Sequence, residues 1–397
     1  MLAQFIYNNF YYIIINDLIN ESVFIVIVKC LITLICNFFL MKYLYVEMEM
    51  EMESKKKDRV FCLDFIRAAS MIMIFLFHFS AHYISTFNIQ GKYVEYFWLY
   101  ANGDWGICAV NIFFMISGSS LMMNYKDKID IGGFYKKRLL RLYPMFWIAY
   151  TIVFLERFYV YKNISNIPLY KLLLSIIGMD GYFSYATETF YILGEWFLGA
   201  IIFLYILFPL VRLLINKFPP KLILMISFIC VILVAYFNPF DPRLDPNHNI
   251  LVCLFSFIFG MVYFIEINKV SLQKFLICLI GSIILIKIKI DVNSVVMMCI
   301  QAVFIYNVFA YISYLVEKYI KNIKGLFISL SKYSYAIFLT HHVILIWILE
   351  KFSNKILSIF ETLCLLSLCF GITIIFSILL FYLEKIIIDY IKNLRYY

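Results

Sequence analysis

The sequence predicts an all-α fold, a polytopic transmembrane helical bundle, and three observations carry that expectation. Of 397 residues, 64% are hydrophobic and 15% charged, with a mean hydropathy of +0.88, a composition far from that of a water-soluble domain. Apolar runs of roughly 17 to 22 residues recur along the chain, each long enough to cross a hydrocarbon core of about 30 Å as a helix. Basic residues gather in short clusters between these runs, at alternating boundaries, as the positive-inside bias requires.

Backbone groups in lipid must be satisfied within a helix or a closed barrel. Barrel strands would alternate apolar and polar positions, and runs such as Leu222 to Phe237 do not. Ten core spans are therefore expected, at about 62–83, 105–124, 143–160, 191–214, 222–237, 250–266, 272–289, 295–315, 333–350 and 359–383. Lys55, Lys56, Lys57 and Arg59 precede the first span, and Lys126, Lys128, Lys136, Lys137, Arg138 and Arg141 follow the second. Both groups are expected to face the cytoplasm. Later basic loops agree, among them Arg212, Lys217 and Lys221, then Lys318, Lys321 and Lys324, then Lys385, Lys392 and Arg395. Lys287, Lys289, Lys351 and Lys355 are exceptions on the outer side. The pattern predicts a multi-pass protein of the cell membrane with a cytoplasmic C-terminus.

The alternation holds only if residues 168–180 do not cross, so that stretch is expected as a short re-entrant or interfacial helix. Residues 1–60 read as an N-terminal extension, with a candidate extra membrane helix at Glu21 to Leu44 and a charged linker, VEMEMEMESKKKD; residues 61–397 read as the membrane domain. The extension lacks the features of a cleaved signal peptide. The net charge of +9 is distributed as topology signals rather than as one basic face, so nucleic acid is not an expected partner and membrane lipid is. Ten cysteines lie singly, without a C-x-x-C pair, and are expected as packing or lipid-facing residues.

Ionisable groups inside a bilayer are costly and mark function by default. The first span carries Asp64, Arg67, His78 and His82. Arg67 and His78 are eleven residues apart, close to three turns, so they share a face and stand roughly 16 Å apart along the axis. Asp64 lies one turn below Arg67 as its charge partner. The pattern suits a polar track with His78 as general base, since an imidazole accepts protons near neutral pH; it equally suits a hydrogen-bonded core histidine above a juxtamembrane ion pair. His78 and His82 have the spacing of a metal pair, but zinc needs a third ligand and this helix offers none, so no metal is expected.

In FYKKRLLRLYP (Phe134 to Pro144), Arg138 and Arg141 stand at i and i+3 on a cytoplasmic segment that Pro144 is expected to end. Two adjacent guanidinium forks suit phosphate, or anchor the chain on anionic lipid heads. Ser117 precedes Gly118 and reads as a helix-packing residue, with a nucleophile as the alternative. His341 is a candidate second proton-handling group, whereas His342, about 100° away on the same helix, reads as packing, as do Tyr335 and Phe338.

Several stretches, in order, resemble acyltransferase family 3, membrane enzymes that O-acylate surface polysaccharides and related acceptors. LDFIRAASMIMIFLFHF (Leu63 to Phe79) is similar to the family's opening helix with its arginine and histidine, and NIFFMISG (Asn111 to Gly118) to its second-helix signature. FYKKRLLRLYP resembles its paired-arginine loop, EWFLGAIIFLYILFP (Glu195 to Pro209) its aromatic helix ending in proline, and SYAIFLTHH (Ser334 to His342) its late helix. The resemblance runs from about residue 60 to the C-terminus. The sequence departs from the pattern in two places: Glu195 precedes Trp196, where the family's acidic residue follows the tryptophan, and the N-terminal extension has no counterpart.

The resemblance implies an acyl-coenzyme A co-substrate, most simply acetyl-coenzyme A, with no tightly bound cofactor and a glycan or lipid-linked saccharide as acceptor in the cell envelope. Arg138 and Arg141 would then hold the coenzyme's phosphates, Arg67 would orient the thioester, His78 would serve as base, and Asp64, Ser117, His341 and Glu195 would support them. Two rival classes are a proton-coupled transporter or flippase, which should show two related halves with paired broken helices, and a glycan polymerase, which calls for a long outer catalytic loop.

Overall fold

The computed structural model describes residues 60–161, 167–190, 193, 196–267 and 271–393. The candidate helix and charged linker of the N-terminal extension, and Glu195, lie outside the described residues. Those described are helical almost throughout: α1 (Phe61–Ala81), α2 (Trp105–Tyr125), α3 (Ile131–Tyr161), α4 (Leu172–Ile176), α5 (Asp180–Phe183), α6 (Trp196–Lys217), α7 (Pro220–Phe237), α8 (Ile250–Val262), α9 (Leu272–Lys287), α10 (Ser294–Tyr319), α11 (Lys324–Leu349) and α12 (Ile359–Asn393). A two-residue hairpin, β1 (Leu99–Tyr100) with β2 (Gly103–Asp104), precedes α2.

Helix starts are written locally. The side chains of Asp104, Asn249, Ser271 and Asn293 accept from the backbone N–H groups of Ile107, Leu251, Lys274 and Val295, capping α2, α8, α9 and α10, and Pro220 opens α7 where a missing N–H costs nothing. A helix occupies each expected span, and eight helices among those described are long and apolar enough to cross a membrane. The other two are shorter: α8 has 13 residues before it continues as a π-turn (Tyr263–Ile267), and α9 has 16, which covers only about 24 Å at 1.5 Å per residue. Apolar faces such as Ile226, Ile229 and Leu233 on α7 and Ile277 and Ile280 on α9 are exposed, as lipid-facing surfaces are. Residues 168–180 form no continuous span: α4 has five residues, and the chain turns at Gly178 with φ +71°.

One proline expectation is corrected. Pro144 does not end a cytoplasmic segment; α3 runs through it, as α6 runs through Pro209 within its expected span. A proline removes a rung from the helical ladder, which a membrane bundle tolerates when neighbours bond the backbone nearby. Here the Tyr335 hydroxyl donates to the Leu142 carbonyl at 2.9 Å, and the Tyr135 hydroxyl to the Ile206 carbonyl at 3.0 Å. Arg138 and Arg141 therefore stand on the opening turns of a continuous membrane helix, not on a separate loop segment.

At the centre, α2 and α8 cross backbone against backbone. A Cβ on Gly118 would strike the Phe257 carbonyl, and one on Gly260 the Met115 carbonyl. Ser119 Oγ donates to the Gly260 carbonyl at 2.7 Å and meets Tyr306 Oη at 3.0 Å, and Ser256 Oγ donates to Asn111 Oδ1 at 2.9 Å. Small residues permit the approach, and hydroxyls then lock it in an apolar medium. The packing role expected near Ser117 thus falls to Gly118 and Ser119.

Candidate active site

Helices α1 and α11 lie side by side and parallel, tied at both ends. At one end Ser331 Oγ donates to Asp64 Oδ1 at 2.7 Å, while an Arg67 guanidinium nitrogen donates to Ser331 Oγ at 3.0 Å and pairs with Asp64 at 3.4 Å. One serine hydroxyl therefore gives to the carboxylate and takes from the guanidinium, holding Arg67 in one orientation at low cost in buried charge. At the other end His82 Nε2 stands 3.1 Å from His342 Nδ1.

Between these ties a cavity of about 610 Å³ opens beside Arg67, lined also by Asp64, Ser117, Arg138, Arg141, Lys332, Tyr335 and Glu384. Four cationic and two acidic side chains face it, a balance that favours an anionic ligand. The Arg138 guanidinium sits 5.7 Å from the ring centres of both Phe134 and Tyr205, and its Nε is buried without a hydrogen-bond partner among the described residues. Ser117 Oγ donates to Tyr205 Oη at 3.2 Å, so serine, tyrosine and arginine form a short chain along one wall. Ser117 thus bonds α2 to α6 and lines the cavity at the same time. Tyr335 and Phe338, read from sequence as packing, line the cavity too.

The cavity reaches Ile74 on α1 and Phe338 on α11. His78 lies one turn beyond Ile74, and His341 and His342 one turn beyond Phe338, outside the lining. The structure thus unites Asp64, Arg67, Ser117, Arg138 and Arg141 in one chamber and sets His78 and His341 in the next layer, which corrects the expectation that Arg67 and His78 face a single cavity.

Four of the five histidines gather in that layer. The His78 ring centre is 3.9 Å from that of His342 and 5.1 Å from that of His341. His342 therefore belongs to the cluster rather than to packing away from it. His341 is fully buried, and its Nδ1 lies 3.0 Å from the Ile337 carbonyl and 2.8 Å from that of Phe338. Carbonyls only accept, so Nδ1 carries the proton and Nε2 presents a lone pair, which has no hydrogen-bond partner among the described residues. His78, His82 and His342 are half-buried, and their ligand nitrogens lie within 4.8 Å of one another. The third imidazole that the opening helix lacks is supplied by α11, a juxtaposition that no local spacing reports.

A family model described as an acyltransferase domain matches residues 60–382. The chain belongs to acyltransferase family 3. It is an integral membrane acyltransferase, and the match spans both the cationic chamber and the histidine layer. No curated protein and no solved structure matches the chain. The place where this acyltransferase departs from the family's pattern has a local structure of its own: Trp196, next to Glu195, stacks on His248 with ring centres 3.8 Å apart and planes 20° apart. Burial holds the His248 imidazole below its ordinary value, opposed by the nearby Asp245 carboxylate.

Proposed function

We propose that this acyltransferase moves an acyl group, most simply acetyl, from acyl-coenzyme A to a hydroxyl of a cell-envelope glycan or lipid-linked saccharide. The observation that carries the reading is the cationic chamber stacked directly beneath the histidine layer. Arg138 and Arg141 stand at its mouth and suit the donor's phosphates, Lys332 adds charge on the facing helix, and Arg67, fixed by Asp64 and Ser331, is held where the thioester end of an extended arm would arrive. In a low-dielectric interior such preorganised cations act strongly on developing negative charge.

The reaction then runs between the layers. The acceptor oxygen attacks the thioester carbonyl as His78 takes the hydroxyl proton; the tetrahedral intermediate collapses, the carbon–sulfur bond breaks, and the proton passes from His78 to the departing thiolate. His341, its Nδ1 committed to backbone carbonyls, keeps an Nε2 lone pair next to His78 and supports the imidazolium that forms. The positive-inside bias supports a donor chamber on the cytoplasmic side, with the histidines toward an acceptor on the outer side.

The test is His78→Ala in a host that displays the glycan, with membrane levels matched and acyl content read by mass spectrometry. Loss of acylation is expected, and normal acylation refutes the base. Consumption of acetyl-coenzyme A by the purified protein separates transfer from transport, because a carrier leaves the thioester intact.

A further inference from the structure

The histidine layer holds more imidazole than proton transfer requires. One general base needs one ring and one partner, yet His82 and His342 add two more, half-buried and within reach of His78. His82 Nε2 and His342 Nδ1 are 3.1 Å apart; two imidazole nitrogens bound to one tetrahedral zinc at about 2.0–2.1 Å stand about 3.3 Å apart. The pair is thus close to ligand spacing already.

The surroundings complete a coordination sphere. His82 Nδ1 lies 3.1 Å from Thr86 Oγ1, the kind of outer hydrogen bond that fixes a ligating histidine's tautomer and leaves Nε2 free to bind. The π-turn His82–Thr86 at the end of α1 makes this i to i+4 pairing. His341 Nε2, buried and without a donor among the described residues, has the lone pair that a metal-bound water would fill. Among the described residues neither a carboxylate nor a thiolate joins the group, so the donor set is neutral nitrogen, which selects first-row transition ions over magnesium or calcium.

We propose that His78, His82 and His342 form a binding site for a divalent transition metal, zinc in the first instance, with water as the fourth ligand. Binding replaces the proton shared between His82 and His342, which moves to the far nitrogen of the His342 ring, and draws His78 into the sphere through a rotamer shift. On the reading of His78 as base, an occupied site is an inhibited enzyme, because a metal-bound lone pair takes no proton.

The experiment uses the full-length protein in nanodiscs, with its purification tag removed, titrated calorimetrically with zinc chloride and, for geometry, with cobalt chloride followed by visible absorption. One equivalent of zinc is expected, magnesium chloride should give no heat, and His82→Ala should weaken zinc by at least about tenfold; His342→Gln serves as second variant if the first fails to insert. Absence of zinc binding, or unchanged affinity in the variant, overturns the site. Acetyl-coenzyme A consumption is read in parallel: zinc should inhibit the wild type, a chelator should restore it, and whatever rate His82→Ala retains should no longer respond to zinc. Zinc that binds through His82 yet leaves the rate unchanged upholds the site and removes His78 as base, so the two readings fail separately.

Discussion

Ile74 stands one helical turn before His78 on α1, and the cationic chamber extends as far as Ile74 without including His78. On the proposed reading, the side chain at 74 lies between the donor and the base. Ile74→Trp should leave donor affinity in place and lower acyl transfer by about 100-fold, the scale expected when reacting groups are held apart. Donor binding by calorimetry and acyl transfer by mass spectrometry give the two readings, and transfer at the wild-type rate contradicts a passage at this point.

Ser331 is buried and bonds Asp64 and Arg67 together. Ser331→Ala removes a hydrogen bond to each charged group, a loss of about 1.5–3 kcal/mol, and releases Arg67 to other orientations. A lower melting temperature in detergent, with a fall in acyl transfer larger than the fall in donor affinity, is the expected pair of results.

Arg138→Ala together with Arg141→Ala removes two of the four cations lining the chamber. The dissociation constant for acetyl-coenzyme A should rise at least about tenfold, as charge-assisted bonds of about 1.5–3 kcal/mol each would imply, while the protein still inserts. Equal donor affinity in variant and parent refutes the phosphate role.

Gly118→Ala drives a methyl group into the Phe257 carbonyl on α8. Backbone cannot yield as a flexible side chain does, so a destabilisation of about 1–3 kcal/mol or more is expected. Ser120→Ala, two residues along the same helix, is the control, and equal melting temperatures for the two variants argue against the crossing.

His248 titrates below its ordinary range because burial opposes its charge. The unfolded chain binds this proton more readily than the folded one, so the contribution to stability is complete above the unfolded value, about pH 6.5, and is lost as pH falls below it. Lowering pH from about 7 to about 5 should reduce the melting temperature, and His248→Gln should flatten that dependence; an identical slope in the variant excludes His248 as the source.

Part of this was legible in one dimension. The apolar runs that become helices and the two arginines that meet Arg67 in one chamber follow local rules. Other features depend on neighbours. His342 looked misdirected because a single helix was assigned one interior face, whereas α11 packs against both α1 and α12 and has two. Pro144 read as the end of a segment because the tyrosine that bonds the backbone beside it, Tyr335, comes from another helix. The partner of Ser117, Tyr205, lies 88 residues away and no local spacing reports it.

The missing rung at Pro144 has a mechanical consequence. A helix bends most easily where its ladder is broken, and Arg138 and Arg141 both sit on the short arm before that point, two turns and one turn away. Ser117, by contrast, is carried by α2, whose backbone is wedged against α8. Flexing of α3 at this point would swing both guanidinium groups together against a wall that does not move with them, so on the proposed reading donor binding is adjustable at one end of the chamber only.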